Sequence, residues 1–400
     1  MKNCISCGAG GLQPILSLGT TPLANALLTR EQLAAPEPRF PLELVFCAGC
    51  ALVQITERVP PERLFSQYAY FSSFSDTIVA AARNLAGRLV GERGLGKSSL
   101  VIEVASNDGY LLQHYKAAGI PVLGIEPAQN IAKVANERGI PTRAEFFGRE
   151  MAAALPRADV LHANNVLAHV PDLNGVVAAI AAVLKPQGVA VIEVPYVRDL
   201  MEKCEFDTIY HEHLCYFSAS ALVALFRRHG LGLVDVERIP VHGGSLRLFA
   251  APGKPSGASA TTLMEEEKRA GMLQHAYYAG FAARVEKMRA DLVALIRRLR
   301  SEGRRLAAYG ASAKGSTLLN YFGIGAPDLE YIVDRSTEKQ GRYTPGTHLP
   351  ILAPEHLLRD RPDYVLLLSW NFLDEILGQQ AEYRARGGKF IVPVPDVRVV

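Results

Sequence analysis

Short apolar runs, each followed by a turn and a helical pattern, recur between residues 99 and 252. β-Branched residues are frequent in four of these runs, which favours buried parallel strands: 100–105, 121–125, 158–163 and 189–194. Two later runs, 232–239 and 245–251, are joined by the turn Val-His-Gly-Gly and predict an antiparallel pair. Strands that alternate with helices predict an α/β fold with a mostly parallel sheet.

A second, smaller α/β pattern occupies the last part of the chain. A long amphipathic, charged stretch at 262–301, broken near Gly280, predicts helical structure. It is followed by a strand pattern at 305–309, a glycine-rich turn, a helix start and three further strand patterns: 331–334, 364–369 and 390–393. We therefore predict a larger α/β domain at 99–253, followed in the chain by a Rossmann-like domain at 254–400.

The first part of the chain lacks this alternation. Residues 1–60 are predicted to form a small separate module, and 61–98 to form a connector that ends in a helix at 76–93. The connector is dense in aromatic and hydroxyl side chains, among them Tyr68 and Tyr70. This density is compatible with packing between domains and equally with a lid that brings phenols into a substrate site.

Composition narrows the function classes. The chain has 400 residues, 49% of them hydrophobic and 21% charged, with a formal net charge of +3. Such a near-neutral balance does not favour binding to nucleic acid or to an acidic membrane. The sequence shows no apolar run of about 18 residues and no signal-peptide pattern, so we expect no membrane span and a cytoplasmic location.

Four of the six cysteines form two knuckles. Cys4 and Cys7 make one Cys-x-x-Cys pair, and Cys47 and Cys50 make the other. Four thiolates suit a closed tetrahedral zinc site, which is structural and not catalytic. The alternatives are two unrelated pairs of free thiols and an iron–sulfur or redox site, although no thioredoxin-like βαβ pattern surrounds either knuckle.

The turn after the first predicted strand is the candidate cofactor site. The strand contains Glu103 and ends in Ser106-Asn107-Asp108-Gly109, and the next strand ends on Glu126. An acidic residue at this spacing holds two ribose hydroxyls in nucleotide sites. The glycine fingerprint of NAD sites is absent, and the pattern looks like the S-adenosylmethionine (SAM) pocket of a class I methyltransferase. A βαβ unit without a ligand is the alternative.

Two other segments carry candidate chemistry. Between the 189–194 strand and a predicted helix beginning at Ser218, the loop Tyr210-His211-Glu212-His213 combines two imidazoles with a carboxylate and a phenol. It follows the carboxyl end of a strand, where α/β active sites lie, but a second metal site or a satisfied polar patch remains an alternative. In the last domain, a glycine-rich turn offers three phosphate-binding side chains without a Walker A pattern: Ser312, Lys314 and Ser316.

These motifs, taken in order, resemble one family. Two Cys-x-x-Cys pairs, Tyr-x-Tyr-Phe-Ser-Ser, Glu-Val-Ala-Ser-Asn-Asp-Gly, Tyr-His-Glu-His-Leu, His-Gly-Gly-Ser-Leu-Arg and Tyr-Gly-Ala-Ser-Ala-Lys-Gly follow one another along the chain. The chain resembles the sugar C-methyltransferases of deoxysugar biosynthesis over essentially its full length. The resemblance implies a zinc module, a SAM domain and a C-terminal Rossmann-like domain. It also implies methylation at C3 of a nucleotide-linked 4-keto-6-deoxysugar, with dTDP as the expected nucleotide.

The resemblance also implies roles for individual residues. His213 is the expected base, and the side chains expected around the ketosugar are Tyr210, Glu212, His169 and a tyrosine of the Tyr68/Tyr70 pair. The expected SAM contacts are Glu103, Ser106, Asn107, Asp108, Gly109, Glu126, Pro127, Phe147 and Asn164. The nucleotide sugar is the only partner that the sequence predicts, and the oligomeric state is left open.

Three other functions compete with this prediction. The chain could methylate a different carbon acid, or it could be a binding protein with a degenerate methyltransferase core. The presence of Glu126 and of the Tyr-His-Glu-His loop counts against the second possibility. A zinc-dependent nucleic-acid modifier is disfavoured because the chain is near neutral and shows no basic-aromatic stripe.

Overall fold

The N-terminal module is a small antiparallel sheet. The computed structural model describes residues 3–65 and 71–400, so Tyr68 and Tyr70 lie outside the described residues. Strands β1 (Gln13–Pro22), β2 (Arg39–Phe46) and β3 (Val53–Ile55) pair in that order. A fourth strand, Cys215–Tyr216, comes from the middle of the chain, is β9 in chain order, and pairs with β3. The loop that precedes β9 is thereby attached to the N-terminal module.

Two helices lead from this module into the central domain. They are α1 (Pro61–Phe65) and α2 (Asp76–Arg93). Helix α2 has the predicted limits because its ends carry strong signals. The Ser75 hydroxyl accepts a hydrogen bond from the backbone N–H of Ile78, and Gly94 takes the left-handed conformation with φ 57°.

The central domain contains a seven-stranded sheet. Its strands are β4 (Val101–Val104), β5 (Val122–Ile125), β6 (Thr142–Arg143), β7 (Ala158–Asn164), β8 (Leu184–Pro195), β10 (Leu231–Ile239) and β11 (Ser245–Pro252). They lie in the order β10-β11-β8-β7-β4-β5-β6. All neighbouring pairs are parallel except those made by β11, which is antiparallel to both β8 and β10. The predicted strands and the late antiparallel pair are confirmed.

Short helices connect these strands. They are α3 (Leu112–Ala117), α4 (Gln129–Glu137), α5 (Arg149–Ala154), α6 (Leu173–Val183), α7 (Val197–Glu202) and α8 (Ala219–Arg228). The described chain also contains single-turn 3-10 helices at Glu31–Ala34, Ser72–Phe74, Leu167–His169, Phe206–Thr208, Val241–Gly243, His275–Tyr277 and Trp370–Phe372.

The stretch predicted at 262–301 forms two helices, α9 (Ala258–Arg269) and α10 (Phe281–Ser301). The chain turns at Gly271, whose φ is 83°, and resumes as a helix after Gly280. The buried side chains of α10 recur at helical spacing: Phe281, Val285, Met288, Leu292, Ile296 and Leu299. The break expected near Gly280 is therefore present. It begins where the first helix ends at Arg269, about three helical turns before Gly280.

The C-terminal domain is the second Rossmann-like unit. Its strands are β12 (Leu306–Tyr309), β13 (Ile332–Val333), β14 (Ile351–Leu352), β15 (Tyr364–Leu367), β16 (Lys389–Val392) and β17 (Arg398–Val399). They lie in the order β14-β13-β12-β15-β16-β17, with only β17 antiparallel to its neighbour. Its helices are α11 (Ala313–Phe322), α12 (His356–Asp360), α13 (Leu373–Gln379) and α14 (Ala381–Ala385). Together these units confirm the predicted fold class.

The N-terminal module contacts both α/β domains. On the central side, the backbone N–H of Ile55 donates to the carbonyl of Leu214 at 3.0 Å. On the C-terminal side, the backbones of Leu28 and Tyr343 exchange two hydrogen bonds of 2.9 Å. These two contacts place part of the N-terminal module where the three units meet. Within the described chain, no helix combines the length and apolarity that crossing a membrane requires.

Candidate active site

The four knuckle cysteines converge on one point. Their Sγ atoms all lie within 4.8 Å of one another, with 3.6 Å between Cys4 and Cys50 and between Cys7 and Cys47. Tetrahedral zinc with Zn–S bonds of about 2.3 Å needs sulfur atoms about 3.8 Å apart. The donor set and its spacing therefore fit zinc held by four thiolates.

The two knuckles have the same backbone turn. The N–H of Gly8 donates to the carbonyl of Cys4 at 3.0 Å, and the N–H of Ala51 donates to that of Cys47 at 2.8 Å. Both donors are left-handed, with φ of 78° and 57°. Glycine adopts this conformation freely, whereas alanine there costs about 1–2 kcal/mol. The second knuckle therefore carries strain that metal binding would offset.

A cavity of about 1050 Å³ lies where the three units meet. Its wall includes residues of the N-terminal module, the connector, the central domain and the C-terminal domain. Phe71 and Phe74 of the connector line it, and Phe74 remains 51% exposed. The described part of the aromatic stretch thus faces the cavity.

One end of the cavity carries the acidic residue at the end of β5. The two carboxylate oxygens of Glu126 accept hydrogen bonds from the backbone N–H groups of Asn107 at 3.0 Å and Ala128 at 2.9 Å. Burial raises the pKa of Glu126 to about 6, against the lowering effect of these two bonds. Ala105 and Asn107 are left-handed, with φ of 52° and 49°, so the loop under the ligand stores backbone strain. A cavity-facing carboxylate above such a turn fits the ribose of SAM.

The predicted SAM contacts divide into two groups. Five of them line the cavity: Asn107, Glu126, Pro127, Phe147 and Asn164. The other four do not, and they support the turn instead. Asp108 pairs with Arg138 at 2.8 Å, Gly109 packs against Ile140, and Ser106 packs against Gly124. Glu103 is buried behind the turn, where desolvation and the charge of Glu126 raise its pKa.

The imidazole of His213 is fixed by two hydrogen bonds. Its Nδ1 lies 2.9 Å from the carbonyl oxygen of Thr208, and its Nε2 lies 2.9 Å from the hydroxyl of Tyr210. A carbonyl can only accept, so Nδ1 carries the hydrogen and Nε2 presents its lone pair to the phenol. The ring centroids of Tyr210 and His213 are 4.1 Å apart, and both residues line the cavity. This arrangement leaves Nε2 as the basic atom of the ring.

The Glu212 carboxylate bonds a residue of the N-terminal module. Both of its oxygens accept from Nδ2 of Asn25, at 2.8 and 2.9 Å, and burial raises the pKa of Glu212 to about 7. The hydrogen bonds that orient the His213 ring are those to Thr208 and Tyr210. His169 donates from Nδ1 to the Glu212 carbonyl at 2.7 Å, and burial lowers the pKa of His169 to about 4.

The other end of the cavity carries the C-terminal turn. Ser312 caps α11 by accepting from the N–H of Gly315 at 3.1 Å, and both Ser312 and Lys314 line the cavity. Ser316 is buried and is not part of the cavity wall. The Nζ of Lys314 is buried, lies 4.5 Å from the centre of the Trp370 ring, and has no hydrogen-bond partner among the described residues.

Two carboxylates face this ammonium group. Burial raises the pKa of Glu205 to about 7 and also raises that of Asp207, which accepts from the indole N–H of Trp370 at 2.7 Å. Burial lowers the pKa of Lys314, and the two carboxylates partly oppose this. An anionic ligand would supply the hydrogen bonds that the ammonium lacks.

Several cavity residues had no signal in the sequence. Asn25 lies in an ordinary-looking segment of the N-terminal module, and Asp334 follows a short strand of the C-terminal domain. Arg247 lies on β11 and donates to Glu193 at 2.7 Å. The cavity wall also contains a group from the C-terminal domain: Arg335, Ser336, Lys339, Arg342, Asn371 and Phe372. In the sequence, the cavity is indicated by the glycine-rich turn and the Glu126 strand end, through their local backbone geometry, and by the Tyr-His-Glu-His loop, through its composition.

Family models match three consecutive parts of the chain. They are described as "Putative zinc binding domain" at residues 4–65, "Methyltransferase domain" at 78–236 and "C-methyltransferase C-terminal domain" at 240–395. The first match contains all four cysteines of the cluster, and the second contains the cavity residues Glu126 and His213.

Known proteins match over different lengths. The ubiquinone biosynthesis O-methyltransferase of Burkholderia thailandensis is 28% identical over 36% of this chain and 68% of that protein. The SAM-bound magnesium protoporphyrin IX methyltransferase of Synechocystis PCC 6803 superposes with a TM-score of 0.35 at 13% identity. It covers 44% of this chain and 79% of that one, a likeness too low to carry an argument. C-methyltransferase NovU of Streptomyces niveus is 38% identical over 100% of this chain and 97% of that protein. Because this likeness extends over both chains, the protein belongs to the SAM-dependent C-methyltransferases.

Proposed function

We propose that this C-methyltransferase acts on C3 of a nucleotide-linked 4-keto-6-deoxysugar, with dTDP as the nucleotide. One observation carries the proposal. The Nε2 lone pair of His213 lies in the same cavity as Glu126 and Lys314, which suit the two ligands that the reaction needs. A ketone at C4 acidifies the C3 proton, so an imidazole base can remove it.

In the proposed step, His213 takes the proton that leaves the substrate. The C3–H bond breaks, the proton passes to Nε2, and its electron pair forms the enolate of C3, C4 and the C4 oxygen. SAM, when bound, supplies the electrophilic methyl group. The bond from Nδ1 to the Thr208 carbonyl remains in place throughout and suits the imidazolium as well as the neutral ring. The enolate carbon would then form the new carbon–carbon bond as the methyl–sulfur bond of the donor breaks, and its electron pair would stay on the sulfur of the thioether that leaves, S-adenosylhomocysteine.

Neighbouring groups stabilise the charges that develop. The Tyr210 hydroxyl donates to Nε2 at 2.9 Å. Once Nε2 has taken the substrate proton, this hydroxyl no longer has an acceptor there and can donate to the enolate oxygen instead. Glu212 provides negative charge for the imidazolium, while His169, whose ring centroid lies 4.8 Å from that of His213, stays neutral and adds no positive charge beside it. The roles of Tyr68 and Tyr70 in holding the sugar stay predictions.

The C-terminal domain is proposed to hold the nucleotide diphosphate. Lys314 lies in the first turn of α11, where unpaired backbone N–H groups and the helix dipole also favour an anion. Ser312 accepts the capping bond from Gly315 and can still donate its hydroxyl hydrogen to a phosphate oxygen. Because Ser316 is buried, a direct contact between this residue and the phosphate has the least support of the three.

The size of the cavity supports two ligands. Single drug-sized ligands occupy pockets of about 300–1,000 Å³. The cavity here is about 1050 Å³ and is open to both α/β domains, as a methyl donor and a nucleotide sugar require. The predicted domain boundaries and the cytoplasmic location stay predictions.

The decisive experiment supplies methyl-labelled SAM with a panel of nucleotide-linked sugars. We expect label transfer to a dTDP-linked 4-keto-6-deoxysugar, and no transfer to the matched sugar in which C4 carries a hydroxyl. Transfer to C3 would be assigned by NMR of the product. If only a carbon acid without a nucleotide were methylated, the alternative of a different substrate would replace this proposal.

A further inference from the structure

The turn at residues 23–27 brings the N-terminal module into the active site. Leu23, Asn25 and Leu27 of this turn line the cavity. The turn is short, with hydrogen bonds from the N–H of Ala26 to the carbonyl of Leu23 at 3.1 Å and from the N–H of Leu27 to that of Asn25 at 2.8 Å. It therefore has its own defined geometry.

Both ends of this turn are anchored. It follows β1 directly, and it is followed by Leu28, whose backbone exchanges two hydrogen bonds of 2.9 Å with Tyr343 of the C-terminal domain. Asn25 is therefore held between the sheet of the zinc module and the C-terminal domain. Its position relative to the cavity is set by backbone pairing.

The side chain of Asn25 makes a two-point contact with Glu212. Its Nδ2 lies 2.8 Å from one carboxylate oxygen and 2.9 Å from the other, across 187 positions of sequence. Glu212 is only 3% exposed, and among the described residues Asn25 is the one side chain that hydrogen-bonds its carboxylate. A buried carboxylate without a donor bears a large desolvation penalty and takes up a proton.

We propose that Asn25 is a positioning residue for the methyl-transfer reaction: it favours the ionised form of the Glu212 carboxylate and holds this group in the cavity that His213 also lines. The charge of Glu212 then stabilises the imidazolium that forms when His213 takes the substrate proton. This role in the reaction rests on the proposed function, whereas the effect of Asn25 on Glu212 itself does not.

The surroundings of Glu212 leave few groups that can replace Asn25. Lys339 of the C-terminal domain lowers the pKa of Glu212 by its charge, but it donates to the Ala311 carbonyl and lies 3.6 Å from Asp334. His169 bonds the backbone carbonyl of Glu212, not its carboxylate. The imidazole of His211 donates in another direction, to the Pro41 carbonyl at 3.1 Å, and that of His213 bonds Thr208 and Tyr210.

The direction of the effect follows from the charge. An N–H donor stabilises the ionised carboxylate, so its removal raises the pKa of Glu212 further from its present value of about 7. Hydrogen bonds to charged groups contribute about 1.5–3 kcal/mol, which corresponds to a shift of about one to two pH units. Activity that depends on the carboxylate would then be lost at neutral pH and recovered at higher pH.

The first test needs no substrate. Infrared pH titration of the zinc-loaded full chain should show a carboxyl band that Glu212→Gln removes. In Asn25→Ala its midpoint should move up by about one pH unit or more. Gln32→Ala is the matched control, because Gln32 lies in the same segment, bonds only the Thr29 backbone among the described contacts, and does not line the cavity. Asn25→Leu, which has a similar shape, lacks the donor and adds no charge beside Glu212, serves if Asn25→Ala does not fold.

The second test uses the pH dependence of methyl transfer. We expect Asn25→Ala to move the acidic limb of the kcat profile upward, and to add nothing when combined with Glu212→Gln. An unmoved infrared midpoint, or an equal loss of activity at every pH, would overturn the positioning role. Absence of transfer to any ketosugar, with the infrared shift intact, would instead count against the proposed substrate.

Discussion

The two Rossmann-like units place a carboxylate in the same backbone setting. In the central domain, Glu126 accepts from the N–H of Asn107 in the turn after β4 and from Ala128, two residues further on. In the C-terminal domain, Asp334 accepts at 2.8 Å from the N–H of Ala311 after β12 and from Ser336, two residues further on. Both carboxylates line the shared cavity.

The charges around the two carboxylates differ. Near Glu126 the central domain has further acidic groups, and Glu103 has its pKa raised by burial and by the charges of Glu126, Asp108 and Glu193. Asp334 in the C-terminal domain has a cationic neighbour instead, with Lys339 at 3.6 Å. The backbone arrangement is shared, but the charged side chains nearest to the two carboxylates differ in sign.

This contrast suggests how one cavity keeps its two ligands apart. The sulfonium of SAM is a cation, and the proposed nucleotide diphosphate is an anion. We expect each ligand to be attracted to the part of the cavity whose nearest charges are opposite to its own. On this hypothesis the backbone provides two similar sites, and the side chains select the ligand of each one.

Loss of zinc should disturb both halves at once and have the largest effect. The zinc module bonds Leu214 on one side and Tyr343 on the other, so its unfolding removes anchors of both domains. Metal analysis should give about one zinc per chain, and Cys47→Ser should lower the melting temperature and activity together. Cys204→Ser is the control, since Cys204 lies outside the cluster and should leave the zinc content unchanged. Zinc-free protein of unchanged stability would refute the assignment.

His213→Asn should remove the chemistry while both halves still bind their ligands. We expect methyl transfer to fall by about 10²-fold or more because the proton acceptor is lost. SAM affinity should be retained. The control is His275→Asn, since His275 is half-buried and bonds the Pro14 carbonyl at 2.7 Å, outside the cavity.

Exchange of the C3 proton with deuterated water isolates the base. Wild-type protein with a non-reactive SAM analogue should exchange the proton, and His213→Asn should not. If the variant exchanges at the wild-type rate, then His169, His211 or Tyr210 is the base.

Replacing each of the two acidic residues with alanine tests the comparison directly. Glu126→Ala should weaken SAM binding by roughly 10- to 100-fold, as expected for lost hydrogen bonds to a charged group, and leave the affinity for the nucleotide sugar unchanged. Asp334→Ala should instead lower the affinity for the nucleotide sugar, because Asp334 holds the turn after β12 through the N–H of Ala311 and positions Lys339. Because the pKa of Glu126 is raised to about 6, SAM affinity should fall as the pH is lowered through that value. Calorimetry that finds both variants impaired for the same ligand would end the comparison.

Lys314→Ala should have the smallest effect on rate. Loss of one cation at the anionic end should raise the KM for the nucleotide sugar about tenfold and lower kcat less, as for an interaction present equally in the ground and transition states. Lys133→Ala, at an exposed position of α4 and away from the cavity, is the control. An unchanged KM would leave Lys314 with a purely structural role beside Asp207 and Trp370.

The sequence by itself determined the elements and the local sites. Strand and helix limits followed from apolar runs and from caps such as Ser75 and Gly94, because these signals act within one turn of the chain. The zinc ligands and Glu126 were also predictable, since a knuckle or a strand end fixes its own backbone geometry. The Tyr-His-Glu-His loop was identified as a candidate catalytic segment from its composition alone.

The tertiary structure decided which of these residues meet and what each one faces. Glu103, Ser106, Asp108 and Gly109 belong to the cofactor motif, yet they pack behind the turn and not in the cavity wall. Glu212 was expected around the ketosugar, and only the fold shows that its carboxylate bonds Asn25 from 187 positions away. Such contacts depend on how three separately folded units dock, and docking depends on side-chain packing over long sequence distances, which no local pattern records.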